Sequence, residues 1–394
     1  MSFLEELLNK YCPDGVEWKE LKKVCTDFIV PMRDKPKIFD GNIPWCRIED
    51  VEGKYFNTSL SGRFVSNEVI KKMNLKVFPI GTVICSCSAS LGTYAINTQP
   101  LITNQTFIGI VCGDKLNNQY LRYYMETQTK KLVSLSNSGT IPYISRQKFE
   151  DLKIPVPTIE IQKEIVRILD TFTELTTELT TELTLRKKQY EYYMDKLLTF
   201  RNDKSQWKKL GDIAHIVMGQ SPDSKSYNKN NIGLPFLQGC ATFGTVYPLI
   251  NTYSSDIKKI AVNGSILMSV RAPVGKLNIA NTDICIGRGL CSINSNCEVS
   301  NKYIFYSLKN SIKYISDKYK GAIFDSITSD GIRNLKIPVP PLEEQERIVK
   351  ILDRFDALCN DISSGLPAEI EMRKKQYEYY RDKLLTFKEK KIKE

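Results

Sequence analysis

Leu-Lys-Ile-Pro-Val-Pro stands at residues 152–157 and again, letter for letter, at 335–340. The first copy runs on through IQKEIVRILD (161–170) to RKKQYEYYMDKLLTF (186–200). The second runs through EQERIVKILD (344–353) to RKKQYEYYRDKLLTF (373–387). A solvated helix exchanges Lys for Arg or Gln for Glu at a cost of about 0.5 kcal/mol or less. Folding alone does not demand such identity. The duplication therefore predicts one surface presented twice, to two copies of the same partner.

Both copies read as helices. Pro155 and Pro157, with Pro338, Pro340 and Pro341 in the second copy, exclude helix before them and suit its first turn. Ile165, Ile168, Leu169, Phe172, Leu175 and Leu179 then follow at helical spacing, resumed by Tyr190, Tyr193 and Leu197. Copy two offers Ile348, Ile351, Leu352, Phe355 and Leu358, then Tyr377, Tyr380 and Leu384. A helix of roughly 40 residues is ~60 Å long, and a narrow apolar stripe on it needs a partner helix. The other copy is the expected partner, packed antiparallel because each returns the chain to a globular segment. Between their shared ends the copies differ. Copy one holds tandem TELT at 173–184, and copy two is longer, with a break expected at Ser363-Ser-Gly-Leu-Pro367.

Outward from these helices, the two long segments also match each other, in the register that carries Leu152 onto Leu335. GTVICSCSASLG (81–92) falls on GSILMSVRAPVG (264–275), Gln105 on Arg288, Asn118 and Tyr120 on Asn301 and Tyr303, and Ile144 on Ile327. The run from Gly81 reads as a strand, 118–135 as helix, and Ser138-Gly139 as a turn. Glycines, strand apolars and helix starts are shared. Loop polarity is not: residues 32–37 differ from 221–225, and Ser88 stands against Arg271. A short N-terminal helix bearing Leu4, Leu7 and Leu8 ends at Cys12-Pro-Asp-Gly15, and Trp18 matches Trp207. The N-terminus thus resembles the end of a repeated helix, as in a cyclic repeat cut open at one junction. The expected architecture is α+β: two α/β domains separated by two long antiparallel coiled-coil helices, with an internal pseudo-two-fold repeat. Its segments are 1–149, 150–200, 201–331 and 332–394.

At 394 residues the chain exceeds one core. A mean hydropathy of -0.28, no apolar run near the ~20 residues of a membrane span and no leader-like N-terminus predict a cytoplasmic protein with no membrane role. Its 11 cysteines form no CxxC pair and read as reduced thiols, with no metal site. The net charge of +11 is concentrated in the two long segments, while 150–200 is net acidic. Segmental positive charge suits a polyanion, though a merely basic protein shows it too.

Chemistry is sparse. There is no glycine-rich cofactor loop, no Asn/Asp-Pro-Pro-aromatic tetrapeptide and no phosphate-binding GxxxxGK[ST]. Asp223 followed by Asp256-Ile-Lys258 formally fits a nuclease pattern, without an equivalent in the first half. The one histidine, His215, aligns with Thr26, which excludes a shared catalytic role. No catalytic residue is expected.

IPVPPLEEQERIVKILD (337–353) closely resembles the conserved-region motif of the specificity (S) subunits of type I restriction-modification systems. The resemblance covers the whole chain, and the TELT tract is similar to the central tetrapeptide repeats of one branch. It implies two target-recognition domains, each reading half of a bipartite double-stranded DNA site. It also implies two methyltransferase (M) subunits on the conserved helices, with restriction (R) subunits joining them. No cofactor is then expected in this chain; S-adenosylmethionine, ATP and Mg2+ would serve the M and R subunits. Copy one departs from the motif with Thr158 for the second proline and Ile161-Gln162 for Glu-Gln.

Residue type and loop position select DNA-contact candidates, since Arg and Lys pair with guanine and Asn or Gln with adenine. In the first segment they are Arg33, Lys35, Lys37, Arg47, Ser88, Gln105 and Tyr143. In the second they are Gln220, Ser221, Lys225, Tyr227, Gln238, Arg271 and Arg288. Each also reads as a solvated loop residue or a phosphate contact. Lys187, Lys188, Tyr190, Tyr193, Tyr377 and Tyr380 are the candidates for binding the partner subunits, the tyrosines reading equally as packing for the helix pair. Two other functions remain open: a coiled-coil scaffold with protein-binding domains, and a self-contained nuclease.

Overall fold

Strands that are buried on both faces divide their side chains between two cores, because successive residues point to opposite sides of a sheet. Strand Val83–Ser86 does this: Val83 and Cys85 join a core with Leu121, Tyr124 and Ile165, while Ile84 joins Phe56, Phe78 and Phe107. Strand Ile266–Ser269 repeats the division, Ile266 and Met268 packing with Tyr303 and Ile348, and Leu267 with Leu237 and Ile286. The computed structural model describes residues 3–88, 90–136, 142–200, 206–318, 326–361 and 363–390. The turn expected at Ser138-Gly139 lies outside the described residues.

The chain divides into two units, Met1–Thr177 with Met372–Glu394, and Glu178–Glu371. In the first unit a five-stranded sheet runs Cys25–Ile29, Phe107–Cys112, Val83–Ser86, Tyr94–Asn97 and Tyr55–Phe56 in spatial order. A separate three-stranded sheet of Phe64–Val65, Ile43–Cys46 and Ile102–Thr103 shares a core with it through Cys46. In the second unit a four-stranded sheet orders Ala214–Met218, Leu290–Ser295, Ile266–Ser269 and Leu277–Ile279. Its second sheet has five short strands, with Leu234–Leu237 parallel to Ile284–Ile286 at its centre.

The repeated sequence register is a repeated set of contacts. The Tyr120 hydroxyl donates to the Pro155 carbonyl at 3.0 Å, and that of Tyr303 to Pro338 at 2.8 Å. Tyr123 donates to Asp170 at 2.6 Å, and Tyr306 to Asp353 at 2.7 Å. Gly81 (φ 81°) and Gly264 (φ 82°), like Gly92 (φ 97°) and Gly275 (φ 84°), occupy left-handed backbone that other residues rarely adopt. That requirement explains why these glycines persist while neighbouring loop residues change.

Helix Ile159–Leu198 is a single 40-residue element. Its counterpart is divided into Leu342–Asn360 and Leu366–Leu384, the break falling where Ser363-Ser-Gly-Leu-Pro367 predicts one. Residues 118–135 are interrupted, however. Helix Asn118–Thr127 stops at Gln128, whose N–H is shared between the Tyr124 and Met125 carbonyls, and Thr129–Ser134 follows. The counterpart, Asn301–Lys318, is continuous. Strand Trp18–Glu20 pairs antiparallel with Lys153–Pro155, as Gln206–Lys209 pairs with Lys336–Val339, so the Trp18/Trp207 register is structural. Among the described residues no helix is long and apolar enough to cross a membrane.

Candidate nucleic-acid interface

The first unit gathers several candidates at the strand ends of its two larger sheets. Strand Ile43–Cys46 ends at Arg47, whose N–H donates to the buried Asp50 carboxylate at 2.7 Å. The other Asp50 oxygen accepts from the Leu60 N–H, also at 2.7 Å, so one carboxylate fixes two loop segments. Arg47 and Ser88 line a cleft of about 200 Å³ with Ile48, Glu49, Ser86, Ser90, Asn104 and Thr106. Ser88 bridges to Tyr143, itself exposed, and Gln105 is exposed at the tip between two strands. Lys35 reaches back over the Trp45 ring, its Nζ 5.7 Å from the centroid. Arg33 and Lys37 are exposed elsewhere on the same loop.

In the second unit Gln238, Ser221 and Arg288 form one network. The Ser221 hydroxyl lies 3.0 Å from Gln238 Oε1 and accepts from Arg288 Nε at 3.3 Å. Gln220, exposed, donates its N–H to Ile286 at 2.9 Å. Arg271 is exposed and bridges to Ser326, the counterpart of Ser88 bridging to Tyr143. Lys225 sits in a turn capped by Asp223 Oδ1 at 3.0 Å, and Tyr227 stacks on Phe236 at 4.6 Å.

The nuclease-like residues do come together, but as a loop cap. Asp256 accepts the Asp223 N–H at 3.2 Å and pairs with Lys258 at 3.0 Å. The Lys258 ammonium, then the Asp223 N–H, hold the Asp256 carboxyl below its usual range. Among the described residues no group of three or more His, Cys, Asp or Glu could hold a metal ion. His215 lies exposed on a strand, opposite Asn294.

The helical candidates separate into buried and exposed sets. Tyr190 is buried, stacked on Phe355 at 5.9 Å, with its hydroxyl 3.2 Å from Asp356. Tyr377 donates to Glu126 at 2.6 Å, and Tyr193 stacks on Phe355 at 5.6 Å. Tyr380 stacks on Phe172 at 5.2 Å while remaining 39% exposed. Lys187 and Lys188 are exposed. Tyr192 and Tyr379, which residue type did not single out from their neighbours, are the most exposed tyrosines of these helices, near 60%. Arg63 was also missed, since only the fold brings it to the Trp45 ring beside Arg47.

The two units share one α+β skeleton and carry polar loops of different composition at equivalent strand ends. The family of type I restriction modification DNA specificity domains matches the chain twice, at residues 13–186 and 202–372. The MjaX specificity subunit of Methanocaldococcus jannaschii is 39% identical over 254 residues, which span 59% of either chain. The EcoR124I/EcoR124II specificity subunit of Escherichia coli is 34% identical over 299 residues, 70% of this chain and 72% of that one. A solved chain from work on complex assembly and conformational transition of the type I R-M system superposes with a TM-score of 0.65. It is 25% identical and covers 94% of this chain and 97% of its own. The chain belongs to the type I restriction-modification DNA specificity family. Its work is DNA recognition, not catalysis.

Proposed function

We propose that this chain is the subunit that gives a type I restriction-modification complex a bipartite double-stranded DNA target. Residues 1–149 read one half-site and 201–331 the other. The observation that supports this most is a repeated skeleton carrying unrepeated loops: equivalent strand ends present Arg47 and Ser88 in one unit, Gln238 and Arg271 in the other. Two methyltransferase subunits dock on 150–200 and 332–394, restriction subunits join that core, and the helices pair as an antiparallel coiled coil. Within the second unit, Phe355 stacks on Tyr190 and Tyr193, and the Tyr190 hydroxyl reaches Asp356, which sets the two helices side by side. Exposed Lys187, Lys188 and Tyr380 suit a partner contact; Tyr190 and Tyr377 act by shaping that surface from beneath. S-adenosylmethionine, ATP and Mg2+ belong to the partner subunits, and the complex works in the cytoplasm.

The test mixes the chain with its cognate methyltransferase subunit and measures retention of DNA of varied sequence. Methylation mapping of a genome expressing both then reads the target directly. Sequence-independent retention, or a single undivided motif, would remove the two-reader assignment. Charge reversal at Lys187 and Lys188 is expected to weaken one methyltransferase contact without unfolding the chain; unchanged stoichiometry and affinity would place docking elsewhere.

A further inference from the structure

Arg47 and Gln238 occupy the same place in the repeated fold. Cys46 pairs in parallel with Thr103, and Leu237 pairs in parallel with Ile286. Thr103 and Ile286 correspond in the register that carries Leu152 onto Leu335, so the residues that follow Cys46 and Leu237 correspond as well. Both leave the end of a strand and stand beside the tip that bears Gln105 in one unit and Arg288 in the other.

Their surroundings are built differently. Arg47 has its guanidinium carbon 5.5 Å from the Trp45 centroid, and its Nη1 lies 3.2 Å from Glu49. Its Nε is buried with no hydrogen-bond partner among the described residues. Arg63 stacks on the same ring at 5.6 Å, and its Nη1 is likewise buried and unpartnered. Lys35 approaches that ring at 5.7 Å. A third orphaned donor, the Thr103 hydroxyl, belongs to the same three-stranded sheet. Buried donors without acceptors are costly, and three cations around one indole repel one another. Three cations gathered on one indole favour a partner that brings negative charge.

At Gln238 the frame is lined by glycines, and its cation, Arg288, reaches the carboxamide only through Ser221. A Cβ on Gly287 would stand 2.7 Å from Gln238 Oε1, and one on Gly289 2.6 Å from its carbonyl oxygen. The corresponding residues of the first unit, Asn104 and Thr106, carry side chains and line the Arg47 cleft instead. The Ser221 hydroxyl, held in turn by Arg288, orients the carboxamide. Guanine shows two adjacent major-groove acceptors, which match a guanidinium fork; adenine shows an acceptor beside a donor, which matches a carboxamide.

We infer that Arg47 and Gln238 are corresponding base-reading residues, Arg47 taking a guanine in one half-site and Gln238 an adenine in the other, with Arg63 completing the cationic frame around Arg47. This rests on the DNA-reading function proposed above.

The experiment uses the full complex of this chain with its methyltransferase partner, and compares the methylated motif and DNA retention for Arg47→Gln, Arg47→Lys and Gln238→Arg. Arg47→Gln is expected to lower retention of the original site roughly 10- to 100-fold and to change one guanine of one half-site. Arg47→Lys, which keeps the charge but loses the fork, is expected to blur the same position. Gln238→Arg is expected to change one adenine of the other half-site; because that side chain is exposed, the substitution does not threaten folding. Unchanged motifs, or losses equal for all sequences, in variants that melt like the wild type would overturn the base assignments while leaving the bipartite function standing. A wild-type complex without a bipartite motif would instead remove that function, and this inference with it.

Discussion

Gln162 and Gln345 show what a single buried polar residue does in this fold. Both are fully buried. Gln162 accepts the Asn117 N–H at 2.8 Å and donates to the carbonyls of Lys115 and Pro157 at 2.9 and 2.8 Å. Gln345 does the same with Ser300, Glu298 and Pro340. Each fastens the first turn of a long helix to the loop that starts another helix, and replacing it strands three backbone groups. Gln162→Met, which keeps the volume, is expected to lower stability by about 2–4 kcal/mol in urea unfolding; a loss under about 1 kcal/mol would show that water or relaxation satisfies those groups. Buried thiols make a second residue-scale prediction. Burial pushes Cys46 and Cys291 up to about 12 and Cys87 to about 11. The folded state therefore holds these protons at a pH where unfolded thiols, titrating near 9, release them, and stability is lost as pH rises from about 9 toward 12. Denaturation midpoints in reducing buffer should fall between pH 8 and 10.5, and a flat profile would contradict the assignment.

Among elements, helix Ile159–Leu198 is the one whose length makes a testable prediction. Its TELT tract stays helical through β-branched threonines whose hydroxyls turn inward to the carbonyls one turn back. Thr173 donates to Leu169 at 2.6 Å, Thr176 to Phe172 at 2.9 Å and Thr184 to Thr180 at 3.0 Å. Removing residues 181–184 takes out ~6 Å of rise and ~40° of net rotation. One DNA base pair accounts for about 34–36° of rotation, so the rotations nearly agree. Rotation is the stricter constraint, since a misrotated domain faces away from its groove. The deletion is expected to shorten the gap between half-sites by one base pair and to leave both half-sites unchanged. Methylation mapping decides it; an active variant with an unaltered gap would mean that the leucine stripe slips to absorb the change.

For the whole molecule, the cut in the cyclic repeat is closed without a covalent bond. The Val16 N–H donates to the Lys388 carbonyl at 2.8 Å, and the Lys390 N–H to Val16 at 2.9 Å. Leu385 is buried in the same core as Leu4, so the first unit is built from both ends of the chain. Each unit keeps its own cores, and on the two-reader proposal this predicts exchangeable segments. Replacing 201–331 by the matching segment of a relative is expected to change one half-site only. If both half-sites moved together, recognition would be shared across the units and the modular account would fail.

The sequence by itself determined the repeat and much of the skeleton. Glycines at positive φ, helix-starting prolines and the Tyr120/Tyr303 and Gln162/Gln345 pairs are imposed locally or by a duplicated neighbour, so identity at equal spacing exposes them. The break after Asn360 was legible locally instead, from Ser363-Ser-Gly-Leu-Pro367, which copy one lacks. Other features depend on residues distant in the chain. Pairing of Trp18–Glu20 with Lys153–Pro155 leaves no local mark, because a short strand is specified by its partner. Burial of Tyr190 but exposure of Tyr192 follows from which helix face meets Phe355. The gathering of Arg47, Arg63 and Lys35 around Trp45 needs three loop segments brought to one sheet. Only the tertiary structure decided these, since a buried donor is orphaned, or a ring covered, by whatever the folded chain carries to it.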